Sequence, residues 1–424
     1  MSCPPSIQLL NWYLYSYEIL KLTGKIIIIS EYLTSEKAGA SYERIKCYAK
    51  ALPEVKFLII NPNLNYKKPI RFIPNIELSN LIFIDGVFKR NGYFYRNSIK
   101  YFDFFRTYFL CRNIIRNYKT DQVKILLFSS LLPLYFWVIV FLKNRKKFTI
   151  IIEKNEMETG IVKNIPLALN SGLFFLLFFL PLRYIGALLA DFLTGKAHKI
   201  IAISTRIKNK YQSRTNCYIV PLLVNLIRFK LVQKNQRNST IKFVYLGYLS
   251  KNKDGIGEIL RAVDQLKKRL SNFHLDIIGD GSKSYLKIVN SYIDENNLSL
   301  FVSIKQSIPS SEVPIELSNY DYALLVREKN TQTQYGFSTK LGEYLAAGLP
   351  VIFTDVSDNL LYLKDNHHGF LVPFPVRNNL ANVLEKAIHT DYNKHRQMKE
   401  NAYRLAGEKF DYRNFSEDLK KIFL

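Results

Sequence analysis

Gln334-Tyr335-Gly336-Phe337-Ser338-Thr339-Lys340-Leu341-Gly342-Glu343-Tyr344-Leu345-Ala346-Ala347-Gly348-Leu349-Pro350-Val351-Ile352-Phe353-Thr354-Asp355 is the stretch on which the reading of the fold turns. Ser338 occupies an N-cap position, Leu341, Tyr344 and Leu345 recur at helical spacing, and Gly348 supplies a stop, so a short helix is expected. After Pro350 the compact β-rich run Val351 to Thr354 reads as a strand buried in a parallel sheet. A helix entered through Gly336, Phe337, Ser338 and Thr339 offers bare backbone N–H groups, and Lys340 adds a full charge in its first turn. Such a mouth suits a phosphate, while the Glu343 carboxylate about one turn on is placed to accept hydrogen bonds from sugar hydroxyls. The plainer alternative is an ordinary surface helix carrying one Lys and one Glu.

The run Gly336 to Ile352 resembles the donor-site signature of GT-B glycosyltransferases, in particular the large retaining group usually numbered family four. Phe243 to Gly247 with Lys253-Asp254-Gly255, Leu275 to Gly281, and Ile200 to Ser204 fit the same pattern. The resemblance implies an α/β fold of GT-B type, with two Rossmann-like doubly wound domains facing across a cleft. It implies a glycosyltransferase that moves a sugar from a nucleotide-diphosphate donor to a glycan or lipid-linked hydroxyl, with retention, in surface polysaccharide assembly.

At 424 residues the chain exceeds one typical core, and its 48% hydrophobic content is ample for two. The expected division is 1–221 for a first, acceptor-binding domain, 222–240 for a connection, 241–410 for a nucleotide-sugar domain, and 411–424 for a helix crossing back to the first. The formal net charge is +25, and the basic half is the first, where residues 1–220 hold 32 Lys and Arg against 13 Asp and Glu. Such a surface attracts polyanions, an anionic membrane leaflet among them, although a general Lys-rich bias accounts for part of the excess. Cys3, Cys47, Cys111 and Cys217 show no paired spacing, which fits reduced thiols in a cytoplasmic setting and argues against a zinc site. Met1 to Leu20 lacks the layout of a signal peptide. No nucleic-acid-binding motif is present, so nucleic acid is not an expected partner.

In the first half, Lys25 to Ser30, Phe57 to Asn61, Leu81 to Asp85, Val123 to Ser129, Phe148 to Ile152 and Ile200 to Ser204 read as strands separated by helical stretches. Gly39 lies in the first turn, where the resembling family is Gly-rich, and serves either as a turn residue or near the ligand. Glu153 and Glu156, at the carboxyl end of a strand, are candidates for touching acceptor hydroxyls; a solvated turn is the alternative. Leu131 to Leu142 is too short to span a bilayer and is followed by the basic run Lys143 to Lys147. Leu173 to Leu193 is the most lipid-like stretch, with Pro181 and Arg183 interrupting it. An interfacial helix on the inner face of the plasma membrane is expected there, with a buried helix as the alternative.

In the second half, Gly247 is expected to let a diphosphate approach the backbone and Lys253 to neutralise it. Relatives of the resembling family carry Arg after the first Gly and Lys before the second, where this chain has Tyr248 and Asp254. Arg327, after the strand Tyr322 to Val326, is the substitute cation. By resemblance, the backbone of Lys305 and Gln306 lies near the nucleobase. The family's second carboxylate, eight positions before Glu343, is here Tyr335, which leaves the sugar contact open. No Asp-x-Asp occurs in the chain, so Lys340, Arg327 and Lys253 are expected to replace a metal, with no cofactor required. The other classes weighed are a nucleotide-sugar epimerase of the same fold and a non-catalytic basic protein binding membrane or nucleic acid.

Overall fold

The structure, a computed structural model, describes residues 26–29, 39–60, 71–74, 78–85, 123–128, 148–163, 180–229, 239–251 and 253–424. The apolar run Leu131 to Leu142, the basic run Lys143 to Lys147, Leu173 to Phe179, and 230–238 of the connection lie outside the described residues.

The first sheet holds β1 (Ile26–Ile29), β2 (Phe57–Ile60), β3 (Arg71–Pro74), β4 (Leu81–Asp85), β5 (Val123–Leu127), β6 (Phe148–Lys154), β7 (Lys199–Ala202) and β8 (Asn216–Ile219). Its spatial order is β3-β4-β2-β1-β5-β6-β7-β8, parallel except for β3, which runs antiparallel to β4. The described helices of this lobe are α1 (Gly39–Ala51), α2 (Glu158–Lys163), α3 (Leu180–Thr194) and α4 (Thr205–Tyr211). Pro181 and Arg183 both lie within α3, whose described residues run unbroken from Leu180 to Thr194.

The second sheet holds β9 (Ile241–Leu246), β10 (Phe273–Ile278), β11 (Val302–Lys305), β12 (Tyr322–Leu325), β13 (Val351–Thr354) and β14 (Gly369–Val372), all parallel, in the order β11-β10-β9-β12-β13-β14. Its helices are α5 (Ile256–Leu266), α6 (Lys283–Glu295), α7 (Val313–Leu317), α8 (Thr331–Tyr335), α9 (Lys340–Ala346), α10 (Asn359–Tyr362), α11 (Val376–Ile388) and α12 (Tyr392–Lys409). Strand runs such as Val351-Ile352-Phe353 are buried throughout, as a sheet covered on both faces requires. Each sheet reverses its strand order once, at β1/β5 and at β9/β12, and in open parallel sheets ligands collect at the carboxyl ends of strands beside such a reversal. The chain is therefore an α/β protein of two doubly wound lobes.

Two chain crossings join the lobes side by side. Val224 N–H donates to Phe410 O at 2.9 Å, and Tyr412 N–H donates back to Val224 O at 3.1 Å. The last helix, α13 (Ser416–Phe423), buries Leu419, Ile422 and Phe423 against Ile26, Tyr48 and Phe57 of the first lobe. Phe423 meets the Tyr48 ring edge-on at 5.6 Å and the Phe57 ring at 5.8 Å.

Candidate active site

The carboxyl ends of β5, β6 and β7 face those of β9 and β12 across a cavity of about 330 Å³. Its first wall consists of Ala40, Ser41 and Arg44 at the start of α1, with Phe128, Asn155, Glu156 and Ile203. The second wall is Tyr248, Ser250, Lys253, Asp254, Arg327 and the run Phe337 to Lys340.

On the second wall, α9 begins at Lys340, with Thr339 as its N-cap and no side-chain cap bond. The Ser338 hydroxyl therefore does not cap it, and instead lies buried in the wall without a hydrogen-bond partner. A helix of two turns has a weak dipole, so the charge of this wall comes from side chains. Lys340 folds back over Gly247, whose φ of +141° only glycine adopts without strain; a Cβ there would stand 2.2 Å from Lys340 Cε. Gly247 thus makes room for the lysine stem. The ammonium reaches the Tyr245 hydroxyl and lies 3.3 Å from Asp254 Oδ1, which is itself 3.3 Å from Arg327 Nη2.

Asp254, which breaks the resembling family's pattern, is the counter-ion of both buried cations. Burial would raise its carboxyl, but Lys340, Arg327 and Lys253 outweigh that and hold it below its ordinary value. Burial, together with repulsion from Arg327 and Lys253, pushes the Lys340 ammonium down to about 8 despite Asp254. Within this wall Asp254 Oδ1, Arg327 Nε and Ser338 Oγ are buried without hydrogen-bond partners, and Asn155 Oδ1 across the cleft is in the same state. Asp254 Oδ1 is nonetheless ion-paired to Lys340 and Arg327, whereas the other three buried atoms are costly to leave unpaired and mark a place where a polar ligand completes the bonding.

The first wall is already satisfied at Glu153. Arg44 Nε donates to its Oε1 at 2.5 Å and Tyr48 to its Oε2 at 2.6 Å, and Arg44 also donates to the carbonyls of Val220 and Pro221. Glu153 is 2% exposed, so it holds the sheet to α1 and is not available to acceptor hydroxyls, contrary to the expectation from its place after the strand. Glu156, by contrast, enters the cleft, where it pairs with Lys253 and accepts from Gln332 Nε2 at 2.8 Å. Gly39 takes φ +58° at the start of α1 with nothing near its missing Cβ, which is a turn role.

Several expected residues stand apart from this cavity. The Lys305 side chain, 47% exposed, pairs with Asp276 at 2.8 Å and Glu316 at 3.3 Å at the sheet edge. Glu343 lies on α9 away from the cavity wall, and burial pushes its carboxyl up to about 7, with Arg228 lowering it and Glu43 raising it. Arg228 bridges the lobes, donating to Glu43 at 2.7 Å and to the Ser310 carbonyl. Tyr335 serves the lobe contact, its carbonyl accepting from Ser204 Oγ at 2.6 Å while Lys210 lies 5.7 Å over its ring. The same seam is held by Thr205, which donates through N–H and Oγ1 to the Asp358 carboxylate at 2.8 and 2.6 Å. Arg44, Gln332 and Arg228 carry no local sequence signal, whereas Asn155 lies between Glu153 and Glu156, the two carboxylates singled out after the strand.

Two doubly wound lobes with a cation-lined cleft at both strand-order reversals define the GT-B architecture. Residues 227–405 match the family described as glycosyl transferases group 1. Among curated proteins, none matches the chain in sequence. The fold is similar to sucrose-phosphate synthase from Thermosynechococcus elongatus, at 16% identity over 94% of this chain and 98% of that one with a TM-score of 0.70. It is also similar to HepE from Anabaena in complex with UDP and glucose, at 13% identity over 94% and 98% with a TM-score of 0.66. The lipopolysaccharide outer core galactosyltransferase WaaB, in its apo form, aligns at 15% identity over 94% and 99% with a TM-score of 0.58. The second lobe is thus a glycosyl transferases group 1 domain, and the chain is a glycosyltransferase of GT-B fold.

Proposed function

We propose that the protein transfers a sugar from a nucleotide-diphosphate donor to a hydroxyl of a glycan or lipid-linked acceptor, without a metal and with retention of configuration, in the assembly of a surface polysaccharide. The observation that carries the donor assignment is the set of unpartnered buried atoms around Lys340, Arg327 and Asp254. A diphosphate there would accept from Arg327 Nε and Ser338 Oγ and lie against the Lys340 ammonium, with Lys253 released from Glu156 to join it. Glu343, on α9 outside this cavity, is assigned the ribose by its place in the resembling motif. The UDP complex of the Anabaena relative supports the class of donor, and the galactosyltransferase relative supports a hexose on it.

In the transfer, the bond between the anomeric carbon and the diphosphate oxygen breaks and its electron pair leaves with the diphosphate. The acceptor oxygen bonds to the same carbon on the same face, and its proton passes to the departing diphosphate. Asn155 and Glu156, on the opposite wall, are the groups that meet the acceptor or the donor sugar. Three cations supply the charge stabilisation that a divalent ion supplies elsewhere, so chelator is expected to leave activity intact.

The test is a panel of UDP-, GDP- and TDP-sugars, read by donor hydrolysis and transfer, repeated with Lys340→Ala and with EDTA. Activity with one nucleotide, lost in the variant and kept in chelator, is the expected result. Unchanged turnover in Lys340→Ala would refute the site, and abolition by EDTA with rescue by a divalent ion would refute metal independence.

A further inference from the structure

The outer face of α3 has an arrangement that the cleft does not explain. Ile185, Leu188, Leu189 and Phe192 are 61%, 48%, 45% and 52% exposed, and they stand at i, i+3, i+4 and i+7, which places them in one stripe along the helix. Single exposed apolar residues are common, but four in register on one face are a contiguous patch. The opposite face is fixed. Ala187, Ala190 and Leu193 are buried, and the Asp191 carboxylate accepts from Lys154 Nζ at 3.1 Å, from Thr159 Oγ1 at 2.8 Å and from the N–H groups of Glu158 and Thr159 at 3.3 Å. The helix cannot roll to hide its stripe without breaking this set.

We propose that this face of α3 docks the protein onto an anionic lipid surface. Charge decides for lipid headgroups as the occupant. The only carboxylate in α3 is Asp191, which points inward, while Lys196 and Arg214 are exposed at the carboxyl end of the stripe. Arg214 Cδ lies 3.0 Å from where a Gly195 Cβ would stand, and Lys196 Nζ is 5.4 Å from the Phe192 ring centre, so both cations border the apolar surface. An apolar stripe edged by cations, on a half of the chain with net charge +19, complements a bilayer that is apolar below and anionic at its surface. The 15 described residues of α3 are about 22 Å long, shorter than a hydrocarbon core of about 30 Å, and no described helix is long and apolar enough to span. It therefore lies in the interface plane. Because Asp191 anchors the end of β6 and the start of α2, docking brings the Asn155–Glu156 side of the cleft within a helix diameter, about 10 Å, of the lipid. This placement extends the acceptor reading, but vesicle binding tests it independently of any transfer.

The experiment is co-sedimentation of the full chain with vesicles of phosphatidylcholine alone or mixed with phosphatidylglycerol, alongside its oligomeric state without vesicles. Wild type is expected to bind the anionic vesicles and to bind phosphatidylcholine weakly. The triple variant Ile185→Gln, Leu189→Gln, Phe192→Gln is expected to lose about tenfold or more in affinity for anionic vesicles. Lys196→Glu with Arg214→Glu is expected to remove the preference for anionic lipid. Both should melt like wild type and retain donor hydrolysis, since every changed side chain is exposed or borders the surface. Failure of wild type to bind, or binding of the triple variant within about twofold of wild type, overturns the proposal. So does conversion of a wild-type dimer to a monomer by the triple variant with vesicle binding unchanged, which would make the stripe a contact between copies.

Discussion

The two walls of the cleft are built on opposite principles. The first wall spends Arg44 and Glu153 on each other, with Tyr48 closing off the carboxylate, and it lines the cavity with Ser41, Asn155 and Glu156 as its other polar side chains. The second wall keeps Arg327 Nε and Ser338 Oγ without hydrogen bonds and crowds three cations around the Asp254 carboxylate. The difference teaches where fold maintenance ends and ligand binding begins. A self-satisfied buried pair is a structural device, whereas unpartnered buried atoms are tolerated only where something else completes them.

The largest effect expected from breaking this contrast lies on the second wall. Lys340→Ala should lower kcat by about 100- to 1,000-fold, the usual cost of removing one preorganised charge from a transition state, while changing the thermal midpoint little. Next in size is a pair of substitutions three residues apart. Glu153→Gln strands the buried Arg44 charge and should cost about 3 kcal/mol in urea unfolding, whereas Glu156→Gln should cost less than about 1 kcal/mol and alter turnover instead. Equal stability losses at both positions would erase the distinction between the walls. Gly247→Ala forces a Cβ into the lysine stem and should reduce turnover by about tenfold through a displaced ammonium.

The smallest effect is in pH. An anion raises the Lys340 pKa, so donor affinity is full below about 8 and falls as pH rises above it. Ribose hydroxyls donating to Glu343 favour its ionised form, so affinity also falls as pH drops below about 7. Calorimetric titration across pH 6 to 9 should give a maximum between those values, with a flatter alkaline limb for Lys340→Arg.

The second wall was legible in the sequence because its parts are local. The helix-and-strand run Gly336 to Thr354, the glycine after β9 and the cation after β12 each sit at the end of a short apolar strand, a position that pattern alone reveals. Its internal wiring was not legible. Asp254 reads as a departure in sequence, yet in space it is the shared counter-ion of Lys340 and Arg327. The first wall was misread at Glu153 because its partner Arg44 is 109 residues away, and no periodicity encodes such a pairing. The strands β3 and β14 escaped notice because Arg71 and Pro74 leave β3 two apolar residues and Gly369 leaves β14 three, too short a run to stand out.

The central claim is that the second wall, through Lys340, holds a diphosphate. Its most direct measurement is the affinity of the preferred nucleoside diphosphate against that of the matching monophosphate, by calorimetry, in wild type and in Lys340→Ala. Wild type should favour the diphosphate by about tenfold or more, and the variant should lose most of that preference while binding the monophosphate as before. A diphosphate preference undiminished in Lys340→Ala would contradict the account.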